Sequence, residues 1–253
     1  MTLALPWVGL ESVLLAGVRI AAFFVIAPPF AHRGIPGTVK AMLAMGLALL
    51  VAPRARAASD PTDVAAFIGQ VLLQVLIGAA LGFLVALVFS AVQAAGSLID
   101  LFAGFQMAAA YDPMSLTSNA QFARLYQLTA IVLLFASDGY QIVIVGLVRT
   151  FDVLPLGTPL DVAAMAATST AGLTGMFLAA LQVAGPLIVV LFLADVGLGL
   201  LTRVAPALNA FALGFPLKIL LTLILAGAAF LVLPQLVSSL TDQAVTAVMG
   251  VAR

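Results

Sequence analysis

Residues 64–99 read VAAFIGQVLLQVLIGAALGFLVALVFSAVQAAGSLI, 36 consecutive positions without a charged side chain, bounded by Asp63 and Asp100. A transmembrane helix needs about 20 mostly apolar residues. This run exceeds one crossing, so it predicts a helix that is long, tilted, kinked or projecting beyond the bilayer. The rest of the chain has the same bias. Of its 253 residues 64% are apolar and 8% are charged, against roughly 25% charged in soluble domains. A soluble chain of this length has too little polar surface to coat that much apolar surface. Lipid, or a large assembly inside a membrane, must act as its solvent. The expectation is an all-α, integral membrane protein.

Charge and cysteine content exclude several function classes. Ten basic and ten acidic side chains cancel, and no charge run marks a nucleic-acid partner or an acidic tail. With no cysteine there is no disulfide framework, thiol nucleophile or thiolate metal site. The first charged residue is Glu11. Without a basic n-region ahead of the apolar stretch, the first helix is expected to be retained rather than cleaved.

N-terminal to this run, residues 13–30 predict a helix interrupted only by Arg19 and stopped at Pro28-Pro29. A His32–Gly37 loop follows, then an apolar run over 41–52 that is short for a full span and ends at Pro53. The polar stretch 54–63 offers Thr62 or Asp63 as a helix N-cap. Residues 101–119 read as broken helix plus loop, 122–135 as helix, 137–139 as a turn, 140–151 as a short apolar run and 154–159 as a linker. Over 161–203, Gly185-Pro186 predicts a division into two helices, with Pro186 starting the second. A turn over 205–209, a last helix over 211–233 and a weakly amphipathic tail complete the chain. Arg33 and Lys40 compete with Arg54 and Arg56 under the positive-inside rule, so the charges select no orientation. The uneven segment lengths suggest helical hairpins rather than a plain bundle of spans.

Gly78, Gly82, Ala86, Ser90 and Ala94 recur at four-residue steps. On a helix they form one ridge of small side chains, against which another backbone can pack closely. The neighbour is either a subunit or another helix of the same chain, and both readings stay open. Asp195 and Lys218 lie inside apolar runs, 11 residues before and 12 after Pro206. In an antiparallel hairpin they share a height about 17 Å from the turn, at about 1.5 Å per residue. A salt bridge clipping the hairpin is favoured over a proton-coupling site. Arg203 is placed to snorkel outward. Arg19, Asp100, Arg124 and Asp138 either pair or face an aqueous cavity. The single histidine, His32, reads as a solvated loop residue, because a metal site needs more ligands. Phe105-Gln106-Met107-Ala108-Ala109-Ala110-Tyr111-Asp112-Pro113-Met114 lies between two apolar helices. Irregular backbone at membrane depth survives when buried or lining a cavity, and methionine seals irregular gaps. Composition alone, however, favours an ordinary surface loop. No HExxH, Gly-x-Ser-x-Gly, P-loop or Gly-x-Gly-x-x-Gly pattern occurs, which points away from an enzyme.

Three stretches carry a family resemblance. They are Arg19 through Pro36, with Ala27-Pro28-Pro29-Phe30; Gly104-Phe105-Gln106-Met107 through Tyr111-Asp112-Pro113 and Asp138-Gly139-Tyr140; and Leu198 through Asn209, followed by Gly214-Phe215-Pro216-Leu217-Lys218-Ile219. In order and spacing they resemble the FliR/SctT-like family of type III secretion export-gate proteins over nearly the whole chain. The resemblance implies a single export-gate domain, with a FliP-like part over about 1–184 and a FliQ-like hairpin and tail over about 185–253. It implies membrane-associated helical hairpins within a helical multi-subunit assembly. Its partners would be several copies of FliP and FliQ, together with FlhA and FlhB, membrane lipid and unfolded flagellar substrates. No cofactor is implied. The location would be the bacterial inner membrane at the flagellar basal body. Phe105, Gln106, Met107, Tyr111 and Met114 fall on the family's plug region, and their gate reading rises accordingly. The family often has Asn where this chain has Asp195. The equivalent subunit of a virulence injectisome is the nearest rival. A small-solute secondary transporter is a rival from another class, but it predicts internal repeats and none is convincing here.

Overall fold

A computed structural model describes residues 7–55, 64–105, 120–159, 161–205 and 210–250. All regular structure among them is helical: α1 (Trp7–Ile26), α2 (Gly37–Val51), α3 (Val64–Ala103), α4 (Gln121–Ala136), α5 (Gly139–Val153), α6 (Val162–Val204), α7 (Ala210–Ala229) and α8 (Leu233–Gly250). Among the described residues, three helices are long and apolar enough to cross a membrane: the Gly9–Ile26 part of α1, α3 and α6. The pairs α4 with α5 and α7 with α8 reach that standard only jointly, across a short bent break. The chain is a membrane-embedded helical protein.

The helix in the deciding stretch has 40 residues, about 60 Å of length at 1.5 Å per residue. That is about twice the hydrocarbon thickness of a bilayer. Helix α6 is longer still, with 43 residues, and this corrects the expected division at Gly185-Pro186. Pro186 is an interior residue of one continuous helix. It removes a single backbone donor, and membrane helices tolerate that loss where the surroundings re-satisfy the freed carbonyl. Asp161 caps the start of α6, its Oδ1 accepting from the backbone N–H of Ala163 at 2.9 Å and Ala164 at 3.0 Å.

Two further expectations are corrected. The first helix spans Trp7–Ile26 rather than 13–30: it begins earlier than expected, and it ends ahead of Pro28-Pro29, where the proline pair disfavours helical geometry. The last helix ends at Ala229, and the segment expected as a tail is the separate helix α8. Leu233, Val237, Leu240, Ala244 and Val248 are buried on α8 at three- and four-residue steps, a helical stripe. Pro234 sits in its first turn, where a missing N–H costs nothing.

The chain folds into two compact units. One comprises Met1–Phe89, Leu134–Leu173 and Ser239–Arg253; the other comprises Ser90–Leu133 and Thr174–Ser238. In the first, α1 packs on α2, and Leu15, Ile20, Phe23 and Phe24 of α1 share a core with Ile77, Leu81 and Leu84 of α3 and Leu147 and Phe151 of α5. In the second, Val92, Ala95 and Ile99 of α3, Tyr126 of α4, and Ala184, Leu187 and Leu191 of α6 are buried.

Candidate functional site

The expected plug stretch begins at Phe105; Gln106, Met107, Tyr111 and Met114 lie outside the described residues. What the structure describes is the pair of helix ends on either side. Helix α3 closes in a Schellman arrangement. Gly104 adopts φ +84°, its N–H donates to the Leu101 carbonyl at 3.2 Å, and the Phe105 N–H donates to the Asp100 carbonyl at 3.1 Å. A left-handed position of this kind suits glycine. The Asp100 side chain, fully buried, turns to the start of α4. Its Oδ1 accepts from the Phe122 N–H and its Oδ2 from the Ala123 N–H, both at 3.0 Å. A carboxylate at a helix N-terminus satisfies orphan donors and meets the positive end of the helix dipole. The Phe105 and Phe122 rings lie 5.6 Å apart between centroids.

Gly96 allows this approach. A Cβ there would lie 2.5 Å from the Ala123 Cα and 2.6 Å from the Phe122 carbonyl oxygen. Neither role was read from the sequence. Asp100 was visible as the charge that ends the apolar run and was expected to pair with another charge or face an aqueous cavity, whereas its carboxylate caps a helix start; Gly96 falls off the four-residue ridge. The available signal was the i, i+4 pairing of Gly96 with Asp100 on one helical face.

Along the ridge, Gly78 and Gly82 face α1 of the same chain. A Cβ on Gly78 would collide with the Arg19 carbonyl oxygen, and one on Gly82 would lie 3.0 Å from the Phe23 carbonyl oxygen. Ala86 and Ser90 are half-buried. At its first two positions, then, the ridge serves packing within the chain.

Arg19 is also fully buried. Its Nε donates to Gln74 Oε1 at 2.7 Å and its Nη1 to the Leu154 carbonyl at 2.9 Å. The guanidinium carbon stands 4.2 Å from the centroid of the Phe151 ring. Leu154 caps the C-terminus of α5, so the cation is held by the negative end of a helix dipole and an aromatic face. Its Nη2 and Gln74 Nε2 are buried without an acceptor among the described residues.

The hairpin pair comes together: Lys218 Nζ lies 2.6 Å from Asp195 Oδ2. A groove of about 520 Å³ in the same unit is lined by Val183, Pro186 and Leu187 of α6 and by Leu225, Ala228 and Ala229 of α7. His32 is exposed, and its Nδ1 accepts from the Gly34 N–H at 3.1 Å. Among the described residues no group of three or more His, Cys, Asp or Glu could hold a metal ion. The arrangement therefore offers helix anchoring and close packing.

Residues 10–244 match the family described as bacterial export proteins, family 1. The flagellar biosynthetic protein FliR of Escherichia coli strain K12 is 37% identical over 80% of this chain and 77% of its own length. The FliR of Bacillus subtilis strain 168 is 28% identical over 84% and 83%. The Yop proteins translocation protein T of Yersinia pestis is 28% identical over 79% and 78%. With a family match across almost all its helices and a relative above 30% identity over most of both chains, this chain belongs to the bacterial export proteins, family 1.

Proposed function

We propose that the chain is a non-catalytic subunit of the flagellar type III export gate, forming with FliP and FliQ the gated entrance for unfolded flagellar proteins. The observation that carries this reading is the 37% identity to a flagellar biosynthetic protein over 80% of the chain. The injectisome alternative rests on relatives such as the Yersinia pestis translocation protein, at 28%. The higher identity favours the flagellar system. The relatives give no support to a small-solute transporter.

In this reading the protein sits in the bacterial inner membrane at the flagellar basal body, surrounded by lipid and by several copies each of FliP and FliQ, with FlhA and FlhB as further partners. About 1–184 would be the FliP-like part and about 185–253 the FliQ-like hairpin. The pair of α6 and α7 joined by Asp195 and Lys218 suits such a hairpin. The two helices that exceed a bilayer crossing suit a core that projects beyond the membrane. The mechanism is conformational: Phe105, Gln106, Met107, Tyr111 and Met114 help seal the path until substrate engages.

Two experiments test this. The tagged chain, co-expressed with FliP and FliQ of the same organism, should elute after detergent extraction as one large stoichiometric complex. Recovery as a free monomer beside unbound partners overturns the assembly reading. In vesicles, the complex carrying Met107→Ala and Met114→Ala should leak ions; an intact seal in that variant overturns the plug assignment.

A further inference from the structure

We propose that Asp100 is a positioning residue that ties the last turn of α3 to the first turn of α4 and so holds Phe105 and Phe122 together as a closed neck. Its consequence for an export path rests on the export-gate reading above.

Asp100 is a local misfit. Asp100 lies in the last turn of α3, where the helix dipole is negative and a carboxylate is unfavourable. Burial makes the misfit worse, since the side chain is fully enclosed and a buried carboxylate needs compensating donors. Those donors come from an element that starts 21 residues later in the chain. The Phe122 and Ala123 N–H groups bind one carboxylate oxygen each at 3.0 Å, so the second helix's positive end supplies what the first denies. Meanwhile the Asp100 carbonyl accepts the Phe105 N–H at 3.1 Å. One residue thus fixes both feet of the connection, the outgoing one through its main chain and the returning one through its side chain. Gly96, one turn earlier, removes the side chain that would keep the α4 backbone away. The Phe105 and Phe122 rings, tilted at 54° with centroids 5.6 Å apart, meet on the ring side of the neck. A side chain needed only to end α3 would have no use for this geometry, because Gly104 already ends it.

Because the chain has no cysteine, spin labels can be placed selectively. Leu101 and Leu125, both exposed, flank the neck as Leu101→Cys and Leu125→Cys. In the complex with FliP and FliQ, the label-to-label distance distribution should be narrow with Asp100 present. It should broaden and shift outward in Asp100→Ala. Asp100→Asn keeps the shape and one acceptor oxygen but turns a donor toward the other N–H, so it should show a mixture of the two populations. Should Asp100→Ala fail to assemble, Asp100→Asn decides alone. Unchanged distributions in the variants that assemble overturn the proposal, and broadening supports it. Ion leak through vesicle-embedded complexes separates the two readings. Leak in both Asp100→Asn and the Met107/Met114 variant supports a neck that positions the seal. Leak in neither overturns the plug reading, while the distance measurement still decides the tie.

Discussion

Lys218 Nζ stands 2.6 Å from Asp195 Oδ2, and the two partners are unequally enclosed: the lysine side chain is 19% exposed and the aspartate 49%. The inequality predicts an order of effects. Asp195→Asn strands the more enclosed charge, whereas Lys218→Met strands the one that keeps contact with its surroundings. Leaving a buried group unpaired costs more than the pair itself contributes. Asp195→Asn should therefore lower stability in detergent more than Lys218→Met. A double-mutant cycle should give a coupling of about 1 kcal/mol, discounted for the open side of Asp195. Equal losses from the single variants, with no coupling, would remove the pair from any role in holding α6 to α7.

Gly78 and Gly82 make a graded test of the ridge. At Gly78 the obstacle to a Cβ is the Arg19 carbonyl, which moves only if α1 moves. At Gly82 the closest atom is the Phe23 carbonyl oxygen at 3.0 Å, a milder crowding. Gly69, on the same helix, has nothing within 4 Å. Overpacking costs about 1–3 kcal/mol, while Gly to Ala in an unobstructed helix gains up to about 1 kcal/mol. Thermal unfolding in detergent should rank Gly78→Ala as most destabilised, Gly82→Ala as intermediate and Gly69→Ala as unchanged or more stable. A flat series would mean that the ridge does not set the approach of α1.

The same residues show which features the sequence disclosed. Helix α3 was legible because its signal is one-dimensional: a charge-free run between Asp63 and Asp100 becomes Val64–Ala103. The Asp195–Lys218 pair was legible because counting outward from one turn is a local sum. The continuity of α6 was not, since Gly185-Pro186 looks the same whether or not the surroundings tolerate one lost hydrogen bond. Helix α8 hid behind its Ser, Thr, Asp and Gln face, although the apolar spacing from Leu233 to Val248 was there to be read. The partners of Arg19 lie 55 and 135 residues away, and the groups held by Asp100 lie 22 and 23 away. Such contacts depend on how helices meet, which no period or spacing records.

At Gly96 the crowding is with three main-chain atoms of one peptide unit of α4: the Ala123 Cα and N and the Phe122 carbonyl oxygen. A methyl group there must push the start of α4 away and stretch both bonds to Asp100. Gly96→Ala should therefore cost about 1–3 kcal/mol, despite the better helix propensity of alanine. The change should not add to that of Asp100→Asn, because both act on one contact. Unfolding midpoints of the two single variants and the double variant check this. Full additivity would show that Gly96 and Asp100 serve separate contacts.

Arg19 presents the sharpest energetic contrast, because its charge is buried without a carboxylate among its described contacts. Two acceptors and a ring hold it: Gln74 Oε1, the Leu154 carbonyl and Phe151. Arg19→Met removes the charge but leaves the Gln74 amide and the α5 terminus unsatisfied, at about 1–3 kcal/mol for each buried group left without its partner. Arg19→Lys keeps the charge but cannot present the planar fork that spans both acceptors, so it should recover only part of the loss. Gln74→Leu deletes one acceptor and should cost about 1–3 kcal/mol, the penalty of one unmet donor. The steady-state amount of protein in membranes, with unfolding midpoints in detergent, should fall in the order Gln74→Leu, Arg19→Lys, Arg19→Met. If Arg19→Met were as stable as the parent, the guanidinium would not be anchoring α1 to α3 and α5, and its burial would need another cause.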